Sequence, residues 1–407
     1  MLKEDRKYYF PLLLIFLCLN DIFDSYCTNY PNSYGSFIEL EFGITHSVYL
    51  IIVGIASIGT YFVFFNQYLC DLLGRRIMIF IVLLGLGLSS LFISLSTTPL
   101  QYTIGLFFIY IFFSSDVWVI YLSEQSSEKH RAGYISLVLV FGSVGGGLTI
   151  PLFRALLIPS FGWRSMTWFA YIAIGIAFLA FMFKESRIYR EMKVQKKDRK
   201  GIRFNLKKFV KIFDRKIIKS TITISLLGFF VGWNYVFLIS GEPYLAAEKH
   251  FDTSQIDLII TAIVLGAIIG YILAGILSDY IGRKPVICIF SVIIPLGLIM
   301  IILGNFIASF IGGFLVSISF WGLFVISRMI AIESFPTDIR GTGAGFRSFS
   351  YAVGTTVGSF FTAYILVFIG LGWSFLLNSI FLLIMIPFVI LFVKETKGIK
   401  LDKITII

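Results

Sequence analysis

The sequence has few charged residues for its length. Only 14% of its 407 residues are Asp, Glu, Lys or Arg, whereas 57% are hydrophobic, and the mean hydropathy is +0.90. A typical soluble domain is about 25% charged, because charged side chains cover the surface that faces water. This shortage excludes a disordered chain and argues strongly against a soluble enzyme.

Cysteine and histidine are also scarce. The four cysteines have no CxxC spacing, and the three histidines all fall in predicted loops. The pattern excludes a disulfide-rich secreted domain, and no metal-binding or nucleophilic cluster can be built from these residues. We therefore expect no metal, no catalytic residue and no enzymatic activity.

The sequence contains many long runs of apolar residues. A run of about 20 apolar residues matches the thickness of a bilayer. The first run follows Lys3, Arg6 and Lys7 but is too long for a signal peptide and lacks an A-x-A cleavage site, so we interpret it as a membrane span. Twelve spans are predicted, at about 10–32, 46–67, 77–97, 100–123, 132–158, 164–183, 220–241, 256–278, 286–303, 306–332, 342–368 and 371–393.

Basic residues are placed asymmetrically around these spans. Most of the 34 Lys and Arg residues lie in the two tails and in the loops on one side of the membrane, whereas the loops on the other side hold only Arg164 and Lys249. Because basic loops remain in the cytoplasm, both termini are predicted to be cytoplasmic. The expected location is the plasma membrane, which the chain crosses several times.

One long polar stretch, 184–219, separates the sixth and seventh spans. Its excess of basic over acidic residues equals the net charge of the whole chain, +11. Leu206, Phe209 and Phe213 share one helical face, which predicts a basic amphipathic helix on the anionic lipids of the inner leaflet. The alternative is a solvated linker that only joins two halves. Since the charge lies in this single linker, we expect no nucleic-acid partner.

The sequence also repeats itself at a long interval. Asp71 with Gly74-Arg75-Arg76 recurs as Asp279 with Gly282-Arg283-Lys284. Three further landmarks recur about 209 residues later: Glu124 with Arg131, as Glu333 with Arg340; Gly162-Trp163, as Gly372-Trp373; and Glu185-Ser186-Arg187, as Glu395-Thr396-Lys397.

This repeat predicts an all-α membrane protein whose twelve transmembrane helices form two pseudo-symmetric six-helix bundles. The expected parts are an N-terminal half at 1–183, the linker at 184–219, and a C-terminal half with a short tail at 220–407. Repeats of this kind are typical of transporters. A monomer is expected.

At the repeated loops the sequence resembles one transporter family. Residues 275–284, GILSDYIGRK, are similar to the G-x-L-x-D-x-x-G-R-[RK] signature of the major facilitator superfamily (MFS), and 66–76 resembles it with Asn66 in place of glycine. Residues 333–341 resemble the E-x-F-P-x-x-x-R-G segment of its sugar-porter and related organic-solute branches, and 394–398 resemble their P-E-T-K-G ending. The resemblance covers the whole chain and implies the MFS fold and transport by alternating access.

The repeated charged residues are candidates for a cytoplasmic gate. The resemblance implies that they hold the two halves together on the inner side while the outer side is open. The alternative is a set of solvated surface pairs, each worth about 0–1 kcal/mol. The candidate gate residues are Asp71, Gly74, Arg75, Arg76, Glu124, Arg131, Asp279, Gly282, Arg283, Lys284, Glu333 and Arg340.

Two carboxylates lie in the middle of the first span. Asp21 and Asp24 are about 17 and 21 Å from its inner edge by the helical rise, and their i,i+3 spacing places them on one face. Carboxylates inside a membrane are costly and usually functional, and both burial and a like-charged neighbour favour the protonated form. We predict that one of them carries a proton; the alternative is a structural hydrogen bond. Their D-x-F-D spelling resembles the D-G-F-D of aromatic-acid:proton symporters, with Ile22 for glycine.

Four more residues complete the predicted substrate and proton cavity. Asp116 lies in the fourth span, about 12 Å from its cytoplasmic end by the helical rise. In the second copy of the repeat, the residue that corresponds to Asp24 is Trp233, and Asn234 and Tyr235 follow it in the sequence. An amide flanked by aromatic rings suits a hydroxyl-bearing or planar ligand. Packing is the alternative role for these residues.

Three arginines also lie inside predicted spans. Arg328 and Arg347 are near the inner ends of spans ten and eleven, and Arg154 is near the outer end of span five. We predict gate or interface roles for them rather than a substrate site. The acidic middle of the membrane then favours a neutral or cationic substrate, or a proton, over a bare anion.

Together these features predict proton-coupled symport of a small organic solute, either sugar- or polyol-like or a small organic acid. No cofactor is expected beyond the proton motive force, and the expected partners are the small-molecule substrate and the lipid bilayer. The alternatives are a uniporter, a drug or metabolite exporter of the same superfamily, or a transporter-derived nutrient sensor.

Overall fold

The computed structural model describes residues 8–113, 117–126, 131–186, 189–190, 212–214, 217–334, 340–393 and 395. Within these ranges every regular element is helical, so the predicted all-α class is confirmed. The predicted amphipathic helix of the linker lies outside the described residues except for 212–214 and 217.

The described residues before the linker form a series of helices that are interrupted by short irregular turns. The α-helices are α1 (Tyr9–Asn29), α2 (Gly35–Phe42), α3 (His46–Ser57), α4 (Val63–Leu73), α5 (Arg75–Ser94), α6 (Pro99–Ile111), α7 (Val117–Gln125), α8 (Arg131–Ser143), α9 (Ile150–Phe161) and α10 (Met166–Leu179). Short 3-10 segments lie at Tyr30–Ser33, Ile58–Phe62, Trp163–Ser165 and Ala180–Met182, and a π-helix at Val144–Thr149 joins α8 to α9.

The described residues after the linker form longer helices. They are α11 (Ile218–Trp233), α12 (Val236–Ala247), α13 (Thr253–Ile281), α14 (Arg283–Leu303), α15 (Phe306–Ser334), α16 (Arg340–Ile369) and α17 (Leu371–Phe392). Gly282, with a φ of 101°, separates α13 from α14, just as Gly74, with a φ of 106°, separates α4 from α5. A left-handed φ of this kind suits glycine because it has no Cβ atom.

Ten helical stretches of the described chain are long and apolar enough to cross a membrane. They correspond to all of the predicted spans except the second and the fourth. In place of the second predicted span, the structure has two helical pieces that meet at an angle of 113°: α2, and α3 together with the 3-10 segment that follows it (His46–Phe62). The bend occurs there because Gly43 ends α2 with a φ of 61°. In place of the fourth, α6 ends at Ile111 and α7 begins at Val117.

The chain forms two compact units. The first comprises Met1–Tyr34 and Ile55–Arg203, and the second comprises Gly35–Gly54 and Phe204–Ile407. In the first unit, α1 packs against α8 and the π-helix, α5 against α10, and α6 against the 3-10 segment at Ile58–Phe62. In the second unit, the repeat-related pairs are α11 with α16, α14 with α17, and α13 with α15. The internal repeat is therefore a repeat of helix pairing.

Close helix packing in the second unit depends on glycine. A Cβ atom at Gly358 would lie 2.6 Å from the carbonyl oxygen of Trp233, and one at Gly266 would lie 2.7 Å from that of Phe314. Gly354 lies against the carbonyl of Phe229 in the same way. Small residues at these spacings let neighbouring helices approach closely.

The segment Gly35–Gly54 is part of the second unit although the sequence places it in the first half. Glu242 of α12 accepts hydrogen bonds from the backbone N–H of Ser36, at 2.9 Å, and from its hydroxyl, at 2.5 Å. The Ser47 hydroxyl donates to the carbonyl of Ala363 at 2.7 Å. Glu242 is only 4% exposed, so its carboxylate depends on these donors for stabilisation.

Candidate functional site

Asp21 and Asp24 are both buried in α1, with exposed fractions of 7% and 5%. The Asp21 carboxylate lies against Gly142 of α8, whose lack of a side chain leaves room for it. The Trp118 indole of α7 lies near the same carboxylate. No Lys or Arg among the described residues forms an ion pair with Asp21, so nothing there neutralises its charge when it is ionised.

Asp24 has different neighbours from Asp21. Its backbone carbonyl accepts a hydrogen bond from the Thr28 hydroxyl at 2.8 Å, and its carboxyl group lies near the Cys27 thiol. The two carboxyl groups predicted on one helical face therefore have different surroundings in the unit.

Asn20 is a polar residue of α1 that sequence reasoning missed. It is 1% exposed, and neither atom of its amide has a hydrogen-bond partner among the described residues. The sequence offered one signal that Asn20 is a candidate site residue, since it is a polar residue next to Asp21 inside an apolar run. Asn20, Asp21 and Asp24 thus place three buried polar side chains within little more than one turn of α1.

The π-helix Val144–Thr149 packs directly on this part of α1. Gly145 lies against the backbone carbonyl of Ile22, and Gly146 lies against the Ser25 hydroxyl. A π-helix in a span is uncommon and frequently marks a functional site. Gly142 and Gly146 thus allow α8 and the π-helix to approach α1 closely, and the π-helix itself was not predicted. Asp116 lies outside the described residues.

Trp233 and Asn234 belong to a hydrogen-bond network in the second unit. The Trp233 indole donates to Oδ1 of Asn378 at 2.8 Å, and the Asn378 amide donates to the Thr362 hydroxyl at 2.7 Å. The Asn234 amide donates to the carbonyls of Phe230, at 2.9 Å, and Asn378, at 3.2 Å. These bonds satisfy groups that would otherwise be costly to bury. Asn378 in α17 was missed because the sequence does not show what it faces.

The cavity beside this network is small. Asn234 and Asn378 line it together with apolar side chains of α12, α14, α15 and α17, and its volume is about 10 Å³. That is room for about one water molecule. An organic solute does not fit there.

Tyr235 leads into an aromatic cluster of the second unit. Its ring centre lies 5.8 Å from that of Phe320, 6.4 Å from that of Trp321 and 6.3 Å from that of Tyr351. Tyr351 lies 5.1 Å from Phe324. Spacings of this size are typical of attractive edge-to-face and tilted ring pairs. Tyr235 and Tyr351 are half-buried.

The first copy of the gate motif is organised around Arg75. Its guanidinium pairs with Glu124 at 3.0 Å and donates to the carbonyl of Cys70 at 3.2 Å. The Glu185 carboxylate accepts hydrogen bonds from the backbone N–H groups of Arg75, at 3.1 Å, and Arg76, at 3.2 Å. An acceptor with negative charge stabilises the positive end of a helix, so Glu185 caps α5.

The second copy repeats this arrangement. The Arg283 guanidinium donates to the Ser278 carbonyl and to Asp279, both at 2.9 Å. The Glu395 carboxylate accepts from the backbone N–H groups of Arg283, at 2.9 Å, and Lys284, at 3.1 Å. Glu395 therefore caps α14 as Glu185 caps α5. This explains why the two glutamates recur in the repeat.

The described contacts of the gate residues lie inside single units. The side chains of Asp71, Arg131, Glu333 and Arg340 lie outside the described part of the structure. Glu124, which the sequence pairs with Arg131, is bonded instead to Arg75 and to the Ser186 hydroxyl. A latch between the two halves stays a prediction.

The three arginines inside spans are in different surroundings. Arg154 is 1% exposed and donates to the carbonyl of Ser33, so it holds the 3-10 segment that follows α1. Arg347 is 2% exposed, and Arg328 is half-buried. Arg347 donates to the Ser327 hydroxyl and, at 3.3 Å, to the carbonyl of Phe324.

Comparison with known proteins agrees with this fold. The chain is 24% identical over 245 residues to a probable 4-methylmuconolactone transporter of Cupriavidus pinatubonensis, covering 58% of this chain but only 55% of that protein. It is 26% identical over 296 residues to a cis,cis-muconate transport protein of Acinetobacter baylyi, covering 69% of each. The xylose transporter XylE from E. coli has a similar fold, with a TM-score of 0.77 at 17% identity, over 97% of this chain and 99% of that one.

The model of one protein family matches almost the whole sequence. The family is the Major Facilitator Superfamily, and the matched residues are 17–242 and 222–404. Its members and the relatives named above are transporters rather than enzymes, which confirms the expectation from the missing catalytic residues. This chain, a multi-pass integral membrane protein, belongs to the Major Facilitator Superfamily.

Proposed function

We propose that this chain is a secondary active transporter that carries a small organic solute together with protons, by alternating access. The observation that carries the proposal is the buried Asp21 carboxylate, which lies near the Trp118 indole and has no cationic partner among the described residues. Such a group is more stable when it is protonated, because an unpaired charge is costly in a buried site. It can therefore take up a proton and release it when its surroundings become wet.

The substrate is proposed to be either a sugar or polyol or a small organic acid. The relatives support the second class, since their names refer to methylmuconolactone and muconate. The similarity to a xylose transporter supports only the fold. Tyr235 and the rings near it offer a planar apolar surface that is common to binding sites for either class.

The proposed setting is the plasma membrane, with both termini in the cytoplasm and the linker 184–219 on the anionic inner leaflet. The proposed form is a monomer, and the proton motive force is the proposed energy source. The repeated Arg75 and Arg283 clusters are proposed to close the cytoplasmic side.

Purified full-length protein in liposomes that contain a pH-sensitive dye tests this proposal. D-xylose, sorbitol, benzoate and cis,cis-muconate are added outside in turn, and symport makes the lumen acidic. We expect one of these solutes to acidify the lumen and to accumulate when the outside is more acidic. Asp21→Asn is expected to abolish both effects.

Asp252→Asn is the matched control. It also removes one carboxylate, but asparagine remains a good N-cap residue for α13, so transport is expected to be unchanged. If Asp21→Asn and Asp24→Asn both still accumulate solute against a gradient, the proton assignment is wrong and a uniporter is favoured. Binding without any flux would favour a sensor, and proton-driven efflux an exporter.

A further inference from the structure

Arg347 of α16 is a buried cation without an anionic partner in the described part of the chain. It is 2% exposed. One nitrogen of its guanidinium, Nη2, donates to Ser327 and to the carbonyl of Phe324, but its Nε has no hydrogen-bond partner. A buried guanidinium usually has a carboxylate partner, because hydrogen bonds to neutral groups do not compensate for lost hydration.

A second cation makes this arrangement less stable. The guanidinium carbon of Arg328 lies 5.3 Å from the ring centre of Phe324, and that of Arg347 lies 4.8 Å from the same centre. Two like charges that share one aromatic ring repel each other, and the repulsion is strong where water is scarce. An anion bound between them would relieve it.

Aromatic side chains extend from this pair of arginines. Tyr351 lies 5.3 Å from the guanidinium carbon of Arg347 and 5.1 Å, ring to ring, from Phe324. Tyr235 continues the same surface at 6.3 Å from Tyr351. Phe324, Arg328, Tyr351 and Tyr235 are all only half-buried, so the surface that they form is partly open.

We propose that Arg347 and Arg328 bind the carboxylate of a planar organic acid, with the body of the acid on the rings of Phe324, Tyr351 and Tyr235. Arginine suits this role because its planar fork of donors matches a carboxylate, and flat rings provide stacking area for a conjugated body. The site rests on the proposed transport function and chooses the organic acid over the sugar. It also gives the two arginines a substrate role that their sequence positions did not indicate.

Equilibrium binding to purified full-length protein tests the site without any ion gradient. Titration calorimetry compares benzoate with benzamide, and cinnamate with cinnamamide, because each amide has the shape of its acid but no charge. We expect each acid to bind at least tenfold more tightly than its amide. Arg347→Gln is expected to weaken benzoate binding by about 10- to 100-fold, and to change benzamide binding by less than about threefold.

Three further variants sharpen the test. Arg328→Gln changes a half-buried residue and is expected to lower the preference for the acid even if Arg347→Gln does not fold. Arg347→Lys keeps the charge but not the fork, so an intermediate loss is expected. Arg164→Gln is the control, since Arg164 bonds to the carbonyls of Ser94 and Ser96 in the other unit, and the preference for acids should persist.

The proposal is overturned if wild-type protein binds neither acid, if the amides bind as well as the acids, or if both glutamine variants keep the preference. Inorganic phosphate and chloride are added as competitors. If they displace benzoate completely at equal concentration, the site is a simple anion site, and the aromatic part of the proposal is wrong. Acid binding without proton movement in liposomes would instead contradict only the proton coupling.

Discussion

The Gly142→Ala substitution in α8 is expected to shift the Asp21 carboxylate without removing that carboxylate. A Cβ atom at residue 142 would lie 2.9 Å from Cγ of Asp21 and closer still to its Oδ2. Ordinary contact needs roughly 3.5 Å, so the carboxylate must retreat by about 1 Å. The nearest atoms belong to the end of a side chain, so α1 itself does not have to move.

The expected cost follows from the polar surroundings of the Asp21 carboxylate that this shift disturbs. The Trp118 indole lies near that carboxylate, and one interaction of a polar donor with a charged group contributes about 1.5–3 kcal/mol. Since about 1.4 kcal/mol corresponds to a tenfold change, we expect solute-dependent proton entry to fall by about 10- to 100-fold. The thermal midpoint of the protein should change little by comparison, because the carboxylate can move without disturbing the backbone.

The assay is luminal acidification in liposomes, with whichever solute of the panel drives it in the wild-type protein. Gly175→Ala is the control in the same unit, because a Cβ atom there would meet nothing within 4 Å. Gly145→Ala is the contrasting variant: its Cβ atom would strike the backbone carbonyl of Ile22, so it should lower the yield of folded protein. If the Gly142→Ala and Gly175→Ala variants transport equally well, the role assigned to the position of the Asp21 carboxylate is refuted.

Three other perturbations test the structural roles of charged and polar groups. Glu185→Gln removes the charge that caps α5, which should cost about 1 kcal/mol and lower the thermal midpoint by about 1–2 °C. Glu395→Gln should do the same at α14, and unequal shifts would contradict the equivalence of the two caps. Ser36→Ala removes a hydroxyl donor from the buried Glu242 carboxylate, at an expected cost of about 1.5–3 kcal/mol; a midpoint equal to that of wild type would show that the bond contributes nothing. Trp233→Phe leaves Oδ1 of Asn378 without its donor, so a loss of about 1–3 kcal/mol of stability is expected, whereas a purely functional role would spare stability.

The sequence was sufficient for the features that depend on local chemistry. Apolar runs predicted ten of the membrane-crossing helices, and the i,i+4 spacing of Gly354 and Gly358, which contact α11, is typical of close helix packing. The repeat predicted that the two units share one scheme of helix pairing. Each of these depends on hydropathy or on side-chain size, which can be read one residue at a time.

Features that depend on distant partners could not be predicted. Asn378 and Glu242 each look like isolated polar residues near the end of an apolar run, and only the fold brings Trp233 to one and Ser36 to the other. The break between α2 and α3 follows from the left-handed Gly43, but many glycines in this chain lie within straight helices. The same limit applies to Arg347, because its burial depends on how α15 and α16 pack.

The repeat itself separates residues that build the fold from residues that carry chemistry. Glu185 and Glu395 occupy equivalent positions and make equivalent hydrogen bonds, as expected of groups that both halves need in order to fold. Asp21 corresponds to Phe230, Asp24 to Trp233 and Arg347 to Val138, so these charges have no counterpart in the other half. A duplicated scaffold keeps what stabilises each half, whereas a single substrate and a single proton need only one copy of their binding groups. This asymmetry is what the proposed proton carrier in the first unit and the proposed carboxylate site in the second require, and exchanging the charges at Asp21 and Arg347 should abolish both functions rather than transfer them.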